Sequence, residues 1–519
     1  METPKKEKIA LLIIIIIQTI IFIIMGINKE YIHIDEAYSL GLANYNKVEI
    51  QDNEDFYNNW HTGQYYEDYL AVQDKDIGQY WQVYENQKND VHPPLYYLLL
   101  RIFMVFSINK FSIWPGVSLN IIIYAFITVF MYLITNKLFE NKKKSLIIAF
   151  ASSIILASLN TVIYIRMYAL ATLNILITTF LHIKLLDEEK TNIRLLITIG
   201  MSALVGSLTH YYYLFYLAMM YIIFAIKYIK EKKFKFLISY TTTMAVAGII
   251  SLIIFPYSIK HIFFGYRGQE VIGNMRNISS FINNISEYLK KVNHYCFSNM
   301  FGILFAIIIL TIIFELYKKR KIKFETNKYI KLILYPTIFY FILVAVASPW
   351  VELRYIMPIC GLIFILTIYV ICKILKLIIN KKETNIVLGL ILIIIIVMPM
   401  VLKLEAESLY TDKKDIIEKL SGEMNVPTIY LFNSQNNRFL DDIYLFSLLK
   451  ESYIAKDIEV KEENIKQILD KKDTTKGVVI FINEGQDNDT ILNVVKTSLN
   501  ANKIMHLKRL NSADVYYLK

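Results

Sequence analysis

The stretch His33-Ile34-Asp35-Glu36-Ala37-Tyr38-Ser39 sets two adjacent carboxylates between a histidine and a tyrosine, just past an apolar run that ends at Ile27. Carboxylates do not help a helix to cross a bilayer, and an ionisable cluster at a membrane boundary marks a functional site by default. The bland reading has Asp35 and Glu36 merely opening a polar loop. Four further groups share this character: Asp90 and His92 ahead of Pro93-Pro94; Tyr164, Arg166 and Tyr168; His210-Tyr211-Tyr212-Tyr213; and Glu352 with Arg354-Tyr355. Each has a dull alternative. Pro-Pro can start a surface helix, arginines can snorkel to headgroups, and His210 among tyrosines can belong to an interfacial aromatic belt. Yet arginine stands near tyrosine where lysine is otherwise almost absent. That favours an anion, because guanidinium is a planar fork suited to phosphate.

Carboxylates, fixed cations and aromatics at one membrane level suit the transfer of a sugar from a lipid phosphate. Phosphate is already a good leaving group, so no strong general acid is required. The acceptor hydroxyl needs a base in line behind the anomeric carbon. The departing phosphate needs preorganised positive charge, and tyrosines supply faces and hydroxyls for a sugar ring.

These residues are set by the elements around them. The 519 residues are 55% hydrophobic and 14% aromatic, with repeated Ile/Leu/Phe runs near the length of a bilayer crossing. A mean hydropathy of +0.40 fits the same class, a polytopic α-helical membrane protein. The net charge of +11 sits in short Lys/Arg clusters between apolar runs, which is the pattern of cytoplasmic loops and not of a nucleic-acid surface. Cys296, Cys360 and Cys372 have no metal-ligand spacing. The first run, residues 9–27, is too long for a signal peptide and lacks a small-residue cleavage site; it reads as a retained span with a cytoplasmic N-terminus.

Sidedness turns on residues 93–107, an apolar run of about fifteen residues that contains Arg101 and falls short of the roughly twenty needed to cross. As a juxtamembrane helix on the outer face, it lets every lysine-rich loop fall inside. Spans are then expected near 9–27, 113–135, 145–161, 169–185, 195–209, 212–227, 236–255, 298–316, 330–347, 355–375 and 386–403. Their ends place all five polar groups outside. A polytopic helical transmembrane domain is expected over 1–404, with a first outer loop at 28–112 holding juxtamembrane helices. A second outer loop at 256–297 contains an amphipathic piece at 278–292. From 405 to 519 a small extracellular α/β domain is expected, with period-two runs at 428–432 and 478–482 and helical patterns at 440–451 and 462–470.

Taken in order, Asp35-Glu36, His92-Pro93-Pro94-Leu95-Tyr96-Tyr97, Arg166-Met167-Tyr168-Ala169-Leu170, Thr209-His210-Tyr211 and Arg354-Tyr355-Ile356-Met357-Pro358 resemble the GT-C glycosyltransferases. The nearest group is the protein O-mannosyltransferases and aminoarabinose transferases, similar to glycosyltransferase family 39. The resemblance covers residues 9–403. It implies a polyprenyl-phosphate sugar donor, probed from the outer face, and an extracellular glycan, lipid or protein acceptor. It implies Asp35 as base or acceptor-orienting group and Glu36 as the second acid of that pair. His92 corresponds to a donor- or acceptor-phosphate contact, and Arg166 to the second-outer-loop arginine. Many relatives carry a glutamate two residues before that arginine, where this chain has Tyr164. The missing acid is absent, or replaced by Glu352 or a first-loop residue, and use of a divalent cation stays open.

The expected activity is therefore an inverting glycosyl transfer with Asp35 and Glu36 catalytic. Substrate contacts are expected from His33, Tyr38, Asp90, His92, Arg166, Tyr168, His210, Tyr211, Arg354 and Tyr355, with no metal ligands assigned. The competing reading is a lipid-linked glycan flippase or transporter. That predicts charged or Gly/Pro-broken segments in mid-span and repeated halves, and neither is visible.

Overall fold

The computed structural model describes residues 5–44, 49–276, 281–317, 327–433, 438–456 and 458–519. It divides into two compact units: Met1–Ile27, Asp90–Tyr96 and Val117–Glu407 form the first, and Asn28–Asn89, Tyr97–Gly116 and Ser408–Lys519 the second. Of the first outer loop, expected with the helical domain, residues 28–89 and 97–112 are thus grouped with the C-terminal residues, and Asp90–Tyr96 with the helices.

All eleven expected spans fall on helices of the first unit. Among the described residues, eight are long and apolar enough to cross a membrane, or nine if the bent pair Lys142–Ile154 and Leu156–Ile163 is one span. Two others are shorter, Ile193–Ser207 with 15 residues and Phe301–Tyr317 with 17. A 15-residue helix rises only about 22 Å, less than the hydrocarbon core. The sequence stops these helices with chemistry at their ends. Asn141, Asn192 and Asn380 each accept from a backbone N–H of the first turn that follows, and Glu383 completes a capping box with Asn380.

The bent pair turns by 56° at Ile155. Ser158 Oγ donates to the Ser152 carbonyl at 2.8 Å, occupying an acceptor the break would otherwise leave unmet in an apolar setting. Residues 256–297 form a π-helical turn at Lys260–Phe264 and helices at Tyr266–Arg276 and Phe281–Phe297. The start of the amphipathic piece expected at 278–292 lies outside the described residues.

The second unit is built on a six-stranded sheet. Its strands are β1 (Trp60–Thr62), β2 (Thr428–Phe432), β3 (Glu451–Lys456), β4 (Val478–Asn483), β5 (Ile504–Arg509) and β6 (Ala513–Leu518). The order is β1-β3-β2-β4-β6-β5. β2 runs parallel to β3 and β4, while β1, β6 and β5 join antiparallel to their neighbours. The central strands β2 and β4 are buried at every position, as strands covered on both faces must be. Ile429, Leu431, Ile480 and Ile482 pack there with Ile465, Leu492 and Val495 from the helices. Both expected period-two runs are these central strands. The helical pattern at 440–451 resolves into a short helix, Ile443–Ser447, and the beginning of β3.

Juxtamembrane residues 93–107 form the helix Leu95–Met104. Its Arg101 is fully buried and donates to Asn44 Oδ1 at 2.9 Å and to the Asp76 carbonyl within the second unit.

Candidate active site

The expected site residues fall into two clusters, one in each unit. In the first unit, a web of backbone contacts ties three chain ends together. Leu95 N–H donates to the Leu208 carbonyl at 3.1 Å, joining the 90–96 loop to the turn between Ile193–Ser207 and Tyr213–Lys230. Asn120, buried on the span Trp114–Phe139, donates to the carbonyls of Val162 and Tyr164 at 3.1 and 2.8 Å. That fixes the chain as it leaves the Leu156–Ile163 helix, and Arg166 N–H then closes on Tyr164 at 2.7 Å. The 208–212 turn depends on Gly206, where an added Cβ would sit 2.3 Å from the Tyr213 ring.

Within this frame His92 Nδ1 lies 2.8 Å from Asp90 Oδ2. Burial alone would raise the Asp90 carboxyl, but the adjacent His92 and Arg166 hold it below the usual carboxylate range. His210 is pushed down to about 3, first by burial and then by the charges of His92 and Arg166. Its Nδ1 accepts from Tyr212 N–H at 3.1 Å, which places the ring proton on Nε2. His210 is therefore a neutral donor at physiological pH, and the cationic contribution expected of it falls to Arg166, with His92 held against Asp90.

Aromatic rings wall this cluster. The Tyr168 and Tyr212 rings lie 5.5 and 5.2 Å from that of His210, and Tyr355 is 5.8 Å from Tyr212. Tyr211 donates or accepts at His261 Nδ1 across 2.9 Å, and burial raises its phenol. Arg354 lies over the Tyr355 ring at 5.2 Å. Glu352, one alternative for the missing second acid, faces Lys291 at 3.9 Å.

The second cluster begins where the first helix ends. Glu36 Oε2 accepts from Lys29 Nζ at 3.0 Å and from His33 N–H at 2.9 Å. The latter is the backward half of a capping box, because His33 precedes the helix Ile34–Asn44 and Glu36 stands at its third position. Neither side chain of the Lys29–Glu36 pair is exposed at all. Lys29 also donates to the Ser408 carbonyl at 2.7 Å and lies 4.9 Å from the Tyr410 ring centroid. Tyr410 takes a left-handed backbone, φ +53°, and stacks on His33 at 6.3 Å.

Asp35 differs from its neighbour. Its carboxylate keeps 19% of its surface and lies 3.7 Å from His33 Nδ1. Tyr38 is half-buried on the same helix. Beside them, Tyr31 donates to the Asp441 carbonyl at 2.8 Å and reaches Asp442 Oδ1 at 3.4 Å. Burial raises the Asp442 carboxyl to about 7 even though Ser512 donates to it.

Several of these groups lay beyond the sequence reading. Lys29 had a signal, a lysine at a span end where the positive-inside bias leaves almost none. The Asp441-Asp442 doublet sat unremarked inside a helical pattern. His261 carries no signal of its own and is found only through the π-helical turn. Among the described residues, no three His, Cys, Asp or Glu side chains gather as metal ligands.

No protein-family model matches the chain, and no curated protein matches it. Its fold does have solved counterparts. The aminoarabinose transferase ArnT from Cupriavidus metallidurans, bound to undecaprenyl phosphate, superposes with a TM-score of 0.51 at 7% identity, covering 98% of this chain and 97% of that one. The apo form of the same protein gives 0.48 at 7% identity over the same shares. The oligosaccharyltransferase from Archaeoglobus fulgidus, in complex with zinc and sulfate, gives 0.44 at 11% identity, covering 91% of this chain and 68% of that one. The chain accordingly has the GT-C fold, carried by a multi-pass membrane protein with a small C-terminal α/β part.

Proposed function

We propose that the protein is a membrane glycosyltransferase that takes one sugar from a polyprenyl-phosphate donor and gives it to an extracellular glycan, lipid or protein, with inversion. The observation that carries this is the cluster of the buried Arg166 and His210 with the half-buried Asp90 and His92, set at the helix ends of a fold shared with an aminoarabinose transferase bound to undecaprenyl phosphate. Arg166 meets the donor phosphate with its planar fork, and the neutral His210 adds a directed Nε2–H donor. Asp90 holds the His92 ring in orientation, so that the charge of the pair is available without being fixed as a permanent excess.

Asp35 is the base. It is the member of the acidic pair with exposed carboxylate surface, and an in-line attack needs a single base and no enzyme-linked sugar. Glu36 is a positioning residue, since it accepts from Lys29 Nζ and from His33 N–H at the start of the Asp35 helix. Tyr168, Tyr211 and Tyr355 line the sugar's path. The N-terminus is cytoplasmic and residues 408–519 are extracellular in this reading.

The test is purified protein with a panel of radiolabelled polyprenyl-phosphate sugars, with loss of donor and appearance of glycosylated acceptor followed together. Wild type consumes one donor. Asp35→Asn and Arg166→Ala, inserted and folded normally, each lose roughly 100-fold or more in rate. Wild-type rates in both variants would overturn the assignment.

A further inference from the structure

The second unit contains a cleft of about 660 Å³ that the proposed chemistry does not use. Its lining includes Asn44, Asn53, Tyr65, Asp68, Asp74 and Asp76. Carboxylates and carboxamides beside a tyrosine are the groups that accept from and donate to vicinal hydroxyls while a ring packs on an aromatic face. Apolar surface, the Ile50 side chain and the Tyr65 ring among it, stands beside these polar groups, and among the described lining residues three carboxylates outnumber the one ammonium, Lys75, which disfavours an anion.

The walls are fixed in advance. Asn109 Nδ2 donates to Asp74 Oδ2 at 2.6 Å while Asp74 N–H donates back to Asn109 Oδ1 at 3.1 Å. Gln64 holds Asp68 Oδ1 at 2.7 Å. The Tyr65 ring is braced by His61, stacked at 3.9 Å. Behind the wall stands Arg101, with no exposed surface, donating to the carbonyls of Ala43, Asn44 and Asp76 and to Asn44 Oδ1. Its guanidinium reaches Asn44 Oδ1 and the Asp76 carbonyl, both on lining residues, and its Nε has no partner among the described residues. A buried guanidinium must be hydrogen-bonded to offset its desolvation, and the bonds it makes to Asn44 and Asp76 hold two wall residues in place.

We infer that this cleft binds a saccharide ring, neutral or amine-bearing, as a subsite for the carbohydrate part of the acceptor. Only the word acceptor rests on the transferase reading; the sugar recognition stands on the cleft itself.

The experiment is saturation-transfer NMR and titration calorimetry on the full-length protein in detergent. The probes are the methyl glycosides of glucose, galactose, mannose and N-acetylglucosamine, then glucosamine and glucose 6-phosphate. At least one neutral or amino sugar binds, and glucose 6-phosphate binds at least ten-fold more weakly. Tyr65→Ala and Asp68→Asn each weaken binding at least ten-fold with the melting temperature held, while Tyr65→Phe retains it. If no sugar binds, if the phosphorylated sugar binds best, or if both variants bind as wild type, the inference is overturned. Sugar binding lost in those variants, with no donor ever consumed, would uphold the cleft and refute the transferase reading. Donor consumption without any binding here would do the reverse.

Discussion

A lysine and a glutamate with no exposed side-chain surface, 3.0 Å apart, define what single substitutions will do near Asp35. Removing one partner leaves the other charge buried and unmatched, at about 3–5 kcal/mol. Lys29→Met and Glu36→Gln are each expected to lower the melting temperature sharply, and the double variant to recover much of the loss. Transfer in the double variant should then survive better than in Asp35→Asn, a comparison that separates positioning from catalysis. Asp442 gives a pH signature. Its carboxyl is raised from 3.8 to about 7, chiefly by burial. Between those values the folded chain keeps a proton that the unfolded chain has lost. The stabilisation is therefore complete below pH 4, declines as pH rises and is gone above about 7. A displacement of that size corresponds to on the order of 4 kcal/mol. Asp442→Asn should melt with wild type at pH 4 and above it at pH 8, as thermal scans at both values will read. Asp35, Glu36, Arg166 and His210 were legible as residues because ionisable groups at the end of an apolar run are conspicuous. The protonation of His210 was not: its neutrality comes from burial and from the charges of His92 and Arg166, which no local pattern contains.

At the scale of the element, helices were the readable part, since runs such as residues 9–27 or 386–403 admit little else. What escaped was the break at Ile155, where no proline or glycine announces a 56° bend. The strands β5 and β6 escaped as well, because residues 504–509 mix charged and apolar positions without strict alternation. The turn that carries His210 offers the sharpest test here. Tyr213 packs over Gly206 while its hydroxyl is within 2.7 Å of Thr178 Oγ1, so the ring cannot swing aside without breaking that bond. Gly206→Ala is expected to destabilise by about 1–3 kcal/mol through overpacking and to slow transfer by displacing His210. Tyr213→Phe, which keeps the ring, should do less on both counts in matched melting and rate assays.

For the molecule as a whole, sidedness follows from the loops. Lys142 and Lys461 both carry exposed side chains, at 47% and 61%. In intact cells a membrane-impermeant maleimide should label Lys461→Cys, and should reach Lys142→Cys only after permeabilisation; the opposite pattern would invert the proposed orientation. The partition into units was the least legible feature. β1 has three residues and no periodicity, so its pairing with β3 depends on a partner that sequence spacing cannot point to. That pairing also sets an order of events. Tyr66, just after β1, meets Ser452 of β3 at 2.7 Å across 386 residues. A ribosome adding about 5–20 residues per second needs roughly 20–80 s to supply that stretch. For all of that time the nascent first loop waits without its neighbour, and any transcript ending before β3 strands it permanently.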